Sequence, residues 1–143
     1  MSVLANNNQL WFACKYGHLK IIQWLYSACE LTVKDNRSKS NLGLRYACIN
    51  GHLHVIEYLC ETFDLTVEDV RFYDNLALQW ACENGHLDVV QYLCETFGLT
   101  VEDVRSLDNL ALRWACLNGH LHVIQWICQH FRLDYEREIS ALE

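Results

Sequence analysis

The sequence predicts an all-α solenoid of four stacked helix-turn-helix units. Two observations carry that reading. The chain repeats itself every 34 residues: Cys14, Cys48, Cys82 and Cys116 keep this step, as do Gly17, Gly51, Gly85 and Gly119, and His18, His52, His86 and His120. A fixed step of this size marks an array of stacked supersecondary units. Within each unit, apolar residues recur at spacings of three and four on both sides of the repeated glycine, which is the stripe of an amphipathic helix. The stretch Leu76 to Val90 therefore reads as two short helices joined at Gly85.

The units run from about 6 to 36, 40 to 70, 74 to 104 and 108 to 138, and residues 1–143 read as a single array. In unit one, Leu10, Ala13 and Cys14 mark the buried stripe of the first helix. Leu19, Ile22, Leu25 and Tyr26 mark that of the second. Gly17 sits where the first helix must stop, because glycine enters the left-handed conformation cheaply. Unit two repeats the pattern with Leu44, Ala47, Cys48, then Val55, Ile56, Leu59 and Phe63. Gly43 stands where Ala77 and Ala111 stand later, and a helical glycine costs up to about 1 kcal/mol relative to alanine. Units three and four open with Asp74-Asn75 and Asp108-Asn109, read as N-caps. Thr66 with Asp69, and Thr100 with Asp103, have the spacing of a capping box with aspartate in place of glutamate. A short helical turn is expected there, followed by an extended connector. Ile139 and Leu142, in a degraded fourth connector, are expected to fold over the end of the stack, since terminal repeats need cover.

Composition narrows the function. Apolar residues make up 52% of the 143 residues and the net charge is −7. So acidic a chain lacks the basic surface that phosphate backbones require, which argues against nucleic acid. No apolar run is long enough to cross a bilayer, and the N-terminus lacks the regions of a signal peptide. Of eight cysteines, seven fall at two repeated positions, Cys14/48/82/116 and Cys60/94/128. They read as small buried thiols in a reducing, cytoplasmic compartment. There is no proline and no glycine/serine-rich linker, so no domain boundary is expected.

The phrase Ala81-Cys82-x-x-Gly85-His86-Leu87-x-Val89-Val90-x-x-Leu93, in four copies, resembles the helical core of ankyrin repeats over about residues 6 to 138. Tetratricopeptide repeats share the period. However, their Trp, Leu-Gly and Pro positions are not met here, and their tight helix pairs leave no room for the connector between Phe97 and Asn109. The resemblance implies an ankyrin-repeat solenoid with extended finger connectors. It further implies a non-enzymatic module that binds a protein on the concave face formed by first helices and fingers. Similar wording occurs in ankyrin arrays of large DNA viruses and protists. The family's Thr-Pro-Leu-His opening reads Leu76-Ala-Leu-Gln79 and Leu110-Ala-Leu-Arg113 here, without its proline and histidine. Asp74 and Asp108 replace its turn glycine. One extra residue per unit is placed near Phe63, Phe97 and Phe131, so the fingers are expected to depart from a β-hairpin.

The chain can be compared with itself to find its variable positions. Asp74 to Leu87 and Asp108 to Leu121 differ only at Gln79/Arg113 and Glu83/Leu117, four residues apart on one helical face. The connector pair also changes: Ser38-Lys39, Phe72-Tyr73, Ser106-Leu107. Packing holds a scaffold position to one residue type, so the positions free to change are expected to face away from the stack, which is where the resemblance places a partner. The candidate partner-binding residues are Trp11, Arg45, Ile49, Phe72, Tyr73, Gln79, Glu83, Leu107, Arg113 and Leu117. Their mixture of aromatic, aliphatic and arginine side chains is that of binding hot spots. A rival reading is a structural oligomer that self-associates through the ends of the stack, suggested by Trp126, Ile127 and Phe131 in the last unit; a monomer is the first expectation.

Other signals are read as scaffold. Phe12, Tyr46, Trp80 and Trp114 align at one position and read as an aromatic ladder in the core. His86 is expected to cap its turn. His54 and His122, which replace Asp88, read as solvated. Cys82-x-x-x-His86 and its copies resemble metal ligands only in spacing, since a tetrahedral site needs four converging groups. A Cys–His nucleophilic pair needs one specialised site with an orienting third group, and here the pair recurs four times. Neither an enzyme nor a cofactor is expected. If the four copies are scaffold, a strong chelator leaves the melting temperature unchanged; a clear fall that zinc reverses overturns this reading.

Overall fold

The repeated glycine ends each first helix, and its neighbours show why. Gly17, Gly51, Gly85 and Gly119 all have φ between 71° and 76°. The following histidine amide reaches back to close the helix, as in His52 N–H to the Ala47 carbonyl at 3.0 Å and His86 N–H to the Ala81 carbonyl at 2.9 Å. That left-handed closure reverses the chain into the second helix.

A computed structural model describes residues 3–29 and 38–143. Unit one holds α1 (Val3–Tyr16) and α2 (Leu19–Ala28), and unit two α3 (Ser38–Ile49) and α4 (Leu53–Thr62). α5 (Val67–Glu83) combines a connector turn with the first helix of unit three, whose second helix is α6 (Leu87–Phe97). The short α7 (Val101–Val104) leads to α8 (Ser106–Leu117) and α9 (Leu121–Phe131) of unit four, and α10 (Tyr135–Leu142) follows. All the regular structure among the described residues is helical. The end of unit one and the side chains of Ser38 and Lys39 lie outside the described residues. First helices pack side by side, α1 on α3, α3 on α5 and α5 on α8. Ile22, Leu44, Leu59, Leu78, Leu93, Leu112 and Ile124 are fully buried between the layers. Burying each such side chain stabilises the fold by about 1.5–3 kcal/mol.

The connectors are not extended fingers. Phe72 is extended (φ −55°, ψ 140°), but Tyr73, Asp74 and Asn75 that follow are left-handed, with φ of 52°, 54° and 65°. Leu107, Asp108 and Asn109 repeat this with φ of 51°, 57° and 60°. Aspartate and asparagine tolerate this region, whereas a tyrosine or leucine is strained there. Asp74 and Asp108 thus take the conformation for which a turn glycine would otherwise be used, and they are not N-caps in the usual extended conformation. Second helices close with the same left-handed device at Asp64, Gly98 and Arg132, next to Phe63, Phe97 and Phe131 where the extra residue is expected. Gly43 is buried, and a methyl added there would lie 3.1 Å from Cys14 Sγ, so space as well as helix propensity bears on that position.

Both capping boxes form. Asp69 Oδ2 accepts the Thr66 amide at 2.8 Å and its hydroxyl at 3.0 Å. Asp103 Oδ2 accepts the Thr100 amide at 2.8 Å and its hydroxyl at 3.2 Å. Each aspartate also takes a distant side-chain donor. Asn41 Nδ2 donates to Asp69 Oδ1 at 3.2 Å. Arg71 forks onto Asp103 through Nε at 2.8 Å and Nη2 at 3.0 Å. Burial by itself would raise the Asp103 carboxyl; Arg71, the Thr100 amide and Asn75 outweigh it and hold the carboxyl below the usual carboxylate range. Arg105 Nη2 to Glu138 Oε1 at 2.8 Å repeats the tie one unit later, onto α10. Asp134 caps α10 by accepting the Arg137 amide at 2.9 Å, and Ile139 and Leu142 pack onto the core, half-buried.

The repeated histidines do not cap their own turns. Two of them bond the preceding unit: His52 Nε2 donates to the Lys15 carbonyl at 2.9 Å and His86 Nε2 to the Ile49 carbonyl at 2.8 Å. Their rings lie flat on the preceding glycine, so a Cβ at Gly17 would fall 2.7 Å, and one at Gly51 2.5 Å, from the ring Nδ1. His54 and His122 are exposed at the edge, yet they bond the Gly17 and Gly85 carbonyls at 3.0 and 3.1 Å. Gly51→Ala therefore combines left-handed strain with loss of the histidine seat. Gly98→Ala has the same kind of strain (φ +60°) but nothing within 4 Å of the new methyl. In chemical denaturation Gly98→Ala is expected to cost about 1–2 kcal/mol, and Gly51→Ala about 1 kcal/mol more. Equal losses would show that the histidine seat contributes nothing.

Candidate partner-binding surface

A helix shows a partner only the residues off its buried stripe. Leu78, Ala81 and Cys82 are buried on α5. At about 100° per residue, Trp80 stands about 200° round from Leu78, on the opposite side. Trp80 and Tyr46 are indeed half-buried, while Phe12 is 51% and Trp114 40% exposed. The aromatic ladder is therefore a surface ridge crossing the four first helices, which corrects its reading as core. Trp11 stacks on Tyr46 with centroids 5.2 Å apart, and Tyr46 lies 6.4 Å from Trp80.

Beside this ridge the expected site residues divide. Arg45, half-buried, sets its guanidinium 5.1 Å from the Tyr73 ring and 5.7 Å from the Trp80 ring, bringing unit two, a connector and unit three together. Burial lowers the Arg45 pKa, and the Tyr73 and Tyr46 hydroxyls offset part of that. Phe72 and Tyr73 are exposed and meet edge to face at 4.6 Å. Leu107 is exposed on the next connector, and Leu117 is 76% exposed. Arg113 is exposed, with Nη1 3.3 Å from Asp108 Oδ2. Trp11, Ile49 and Glu83 are half-buried along the same helices.

Gln79 does not belong to this surface. It is 4% exposed, and its Nε2 donates to the Asp74 carbonyl, securing the left-handed turn. The Gln79/Arg113 difference thus exchanges a turn clamp for an outward cation. The last unit also differs from expectation: Ile127 is fully buried, and Trp126, half-buried, stacks on His130 at 4.5 Å. Ile21 and Trp24 in unit one and Leu121 in unit four are exposed instead.

Most of the cysteines lie beneath this surface. All eight are free thiols; six are buried, and Cys29 and Cys116 are half-buried. Cys116, in the last of the four units, is more exposed than its three repeats. Burial pushes Cys14, Cys60 and Cys94 to about 12 and raises Cys48 and Cys82 as well. Among the described residues, no three His, Cys, Asp or Glu side chains gather as a metal site, and no helix is long and apolar enough to cross a membrane.

A family model described as ankyrin repeats in three copies matches residues 10–103 and 73–139. The chain belongs to the ankyrin repeat family. It is similar to an ankyrin repeat family protein from Legionella pneumophila, with 27% identity and a TM-score of 0.74, covering 85% of this chain and 36% of that one. It therefore spans about a third of the length of that protein. It also shares its fold with a chain in the crystal structure of yeast ribosomal protein Rps3 in complex with its chaperone Yar1, at 24% identity and a TM-score of 0.68, covering 91% of this chain and 95% of that one. No curated protein matches. The ankyrin fold is typically a non-enzymatic interaction module.

A thiol is modified as its thiolate, so burial and a raised pKa both slow labelling. In the folded ankyrin array, a thiol reagent at pH 8 is expected to modify Cys29 and Cys116 first and the six buried thiols only on denaturation. Rapid labelling of Cys82 in the native protein contradicts the packing described.

Proposed function

We propose that this ankyrin array is a non-enzymatic module that binds a protein partner across its first helices and connector turns, on the concave side used by ankyrin arrays. The carrying observation is the surface aromatic ridge of Phe12, Tyr46, Trp80 and Trp114, exposed at Phe12 and Trp114 and half-buried between them, and flanked by residues that vary between otherwise near-identical units. Exposed apolar rows of this kind on a folded surface mark contact sites. Tyr73 and Leu107 add to it. Both are large, exposed and held in a strained left-handed backbone, the kind of outlier that concentrates at recognition sites. The net charge of −7 favours a protein over nucleic acid as partner, and the thiols fit a reducing, cytoplasmic setting.

The test compares Phe72→Ser with Leu117→Glu, made together, against Leu93→Ala. The fold already carries Ser106 and Glu83 at the equivalent positions, so the double variant is expected to melt normally. If these side chains anchor the partner, each loss costs at least about 2 kcal/mol of binding. Leu93 is fully buried, and truncating it destabilises by about 2–5 kcal/mol. Its effect on binding follows only from unfolding. The readout is affinity for a partner recovered from the native cell, beside thermal melting. Unchanged affinity in a normally melting double variant removes this face as the recognition surface.

A further inference from the structure

Unit one presents bare the same face that units two to four bury. Ile21 is 48% exposed, while its equivalents Val55, Val89 and Val123 are all at 0%. Trp24 is 53% exposed, while Tyr58, Tyr92 and Trp126 are half-buried. His18 is exposed, while His52, His86 and His120 rest on the glycine of the unit before. A groove of about 710 Å³ opens here between α1 and α2, walled by Phe12, Ile21 and Trp24.

The opposite end carries the matching half. Nothing lies within 4 Å of a Cβ placed on Gly119, whereas Gly17, Gly51 and Gly85 each hold a histidine ring. Leu121, at 45% exposure, is barer than its half-buried equivalents Leu19, Leu53 and Leu87. Inside the stack, Tyr92 hydrogen-bonds the Cys60 thiol of the preceding unit. The equivalent of Cys60 in the last unit is Cys128, and beside it lies an open cavity of about 370 Å³, lined by Gln125, Gln129, Leu133 and Tyr135. The final helix α10 packs on α8 and α9 and leaves these features uncovered.

We propose that a second copy of this chain stacks head to tail on the first. His18 of one copy seats on Gly119 of the other, Ile21 meets Leu121, and Trp24 enters the cavity beside Cys128. The register is that of the internal interfaces, where histidine lies 35 residues after its glycine and tyrosine 32 after its cysteine. Such a contact joins two different surfaces, so it does not close at a dimer and extends as a filament or ring.

Sedimentation of the full chain over a wide concentration range tests this. The weight-average mass is expected to rise from 16.8 kDa past that of a dimer. Ile21→Asp spoils the head and Leu121→Asp the tail; both positions are half exposed, so both variants are expected to fold, as circular dichroism checks. Each variant alone is expected to stay monomeric. Mixed one to one, they are expected to form a dimer that grows no further, because the one intact head meets the one intact tail. A wild-type chain that remains at 16.8 kDa throughout overturns the proposal. So does association of either variant alone, or a mixture that stays monomeric.

Discussion

A histidine ring lying flat on the glycine of the unit before it sets the spacing of the whole stack. The contact has two requirements. The glycine must lack a side chain, because a Cβ at Gly17 or Gly51 would enter the ring of His52 or His86. The ring must turn its Nε2 to a carbonyl that the first helix leaves unsatisfied at its end, Lys15 for His52 and Ile49 for His86. Glycine therefore acts twice, once through its positive φ and once through the space above it. This joint constraint gives a physical reason for glycine and histidine to recur at each of the three interfaces between units. A second tie lies at the other end of the helices, where the capping-box aspartates collect Asn41 from the start of the same unit or Arg71 from the connector before it. Aspartate in place of glutamate closes its own turn and still offers an oxygen to the neighbour.

Most of the helical framework was legible in the sequence. Spacings of three and four located the buried stripes, the glycines located the first-helix ends, and Thr66-Asp69 and Thr100-Asp103 located the connector turns. The left-handed run at Tyr73-Asp74-Asn75 was not legible. A tyrosine carries no local signal for positive φ, and the Asp-Asn pair has the look of an ordinary N-cap. The turn holds because Gln79 clamps the Asp74 carbonyl and Asn75 reaches Asp103 at the far end of its own unit; the second contact is made only when the unit has folded, and neither is signalled by the turn residues themselves.

The binding surface was half legible for a related reason. Comparing units assumes that an unchanging position is core and a changing one faces out. Trp80 and its equivalents break the first half of that rule. They stay aromatic because neighbouring first helices lean on one another at the surface, as Trp11 does on Tyr46 and Tyr46 on Trp80. Gln79 breaks the second half, since its amide is used inward while Arg113 in the same place points out. The angle of Trp80 from the Leu78 stripe would have placed it correctly without the comparison. The resulting surface rests on the histidine seats, because they fix how far apart successive aromatics stand.

Denaturation as a function of pH tests the histidine seat most directly. Burial lowers the His52 pKa below its usual 6.5, outweighing the bond to the Lys15 carbonyl, and the neighbouring His54, His86 and His18 lower it further. In the unfolded chain His52 takes up its proton near pH 6.5, while the folded chain resists it, so the unfolded state binds more protons in that window and folding weakens as pH falls. Urea midpoints are expected to be level above about pH 7 and to decline as pH falls through about 6.5, with a shallower decline in His52→Gln. A midpoint that stays level or rises between about pH 7 and 5.5, or a decline that His52→Gln leaves untouched, contradicts the account.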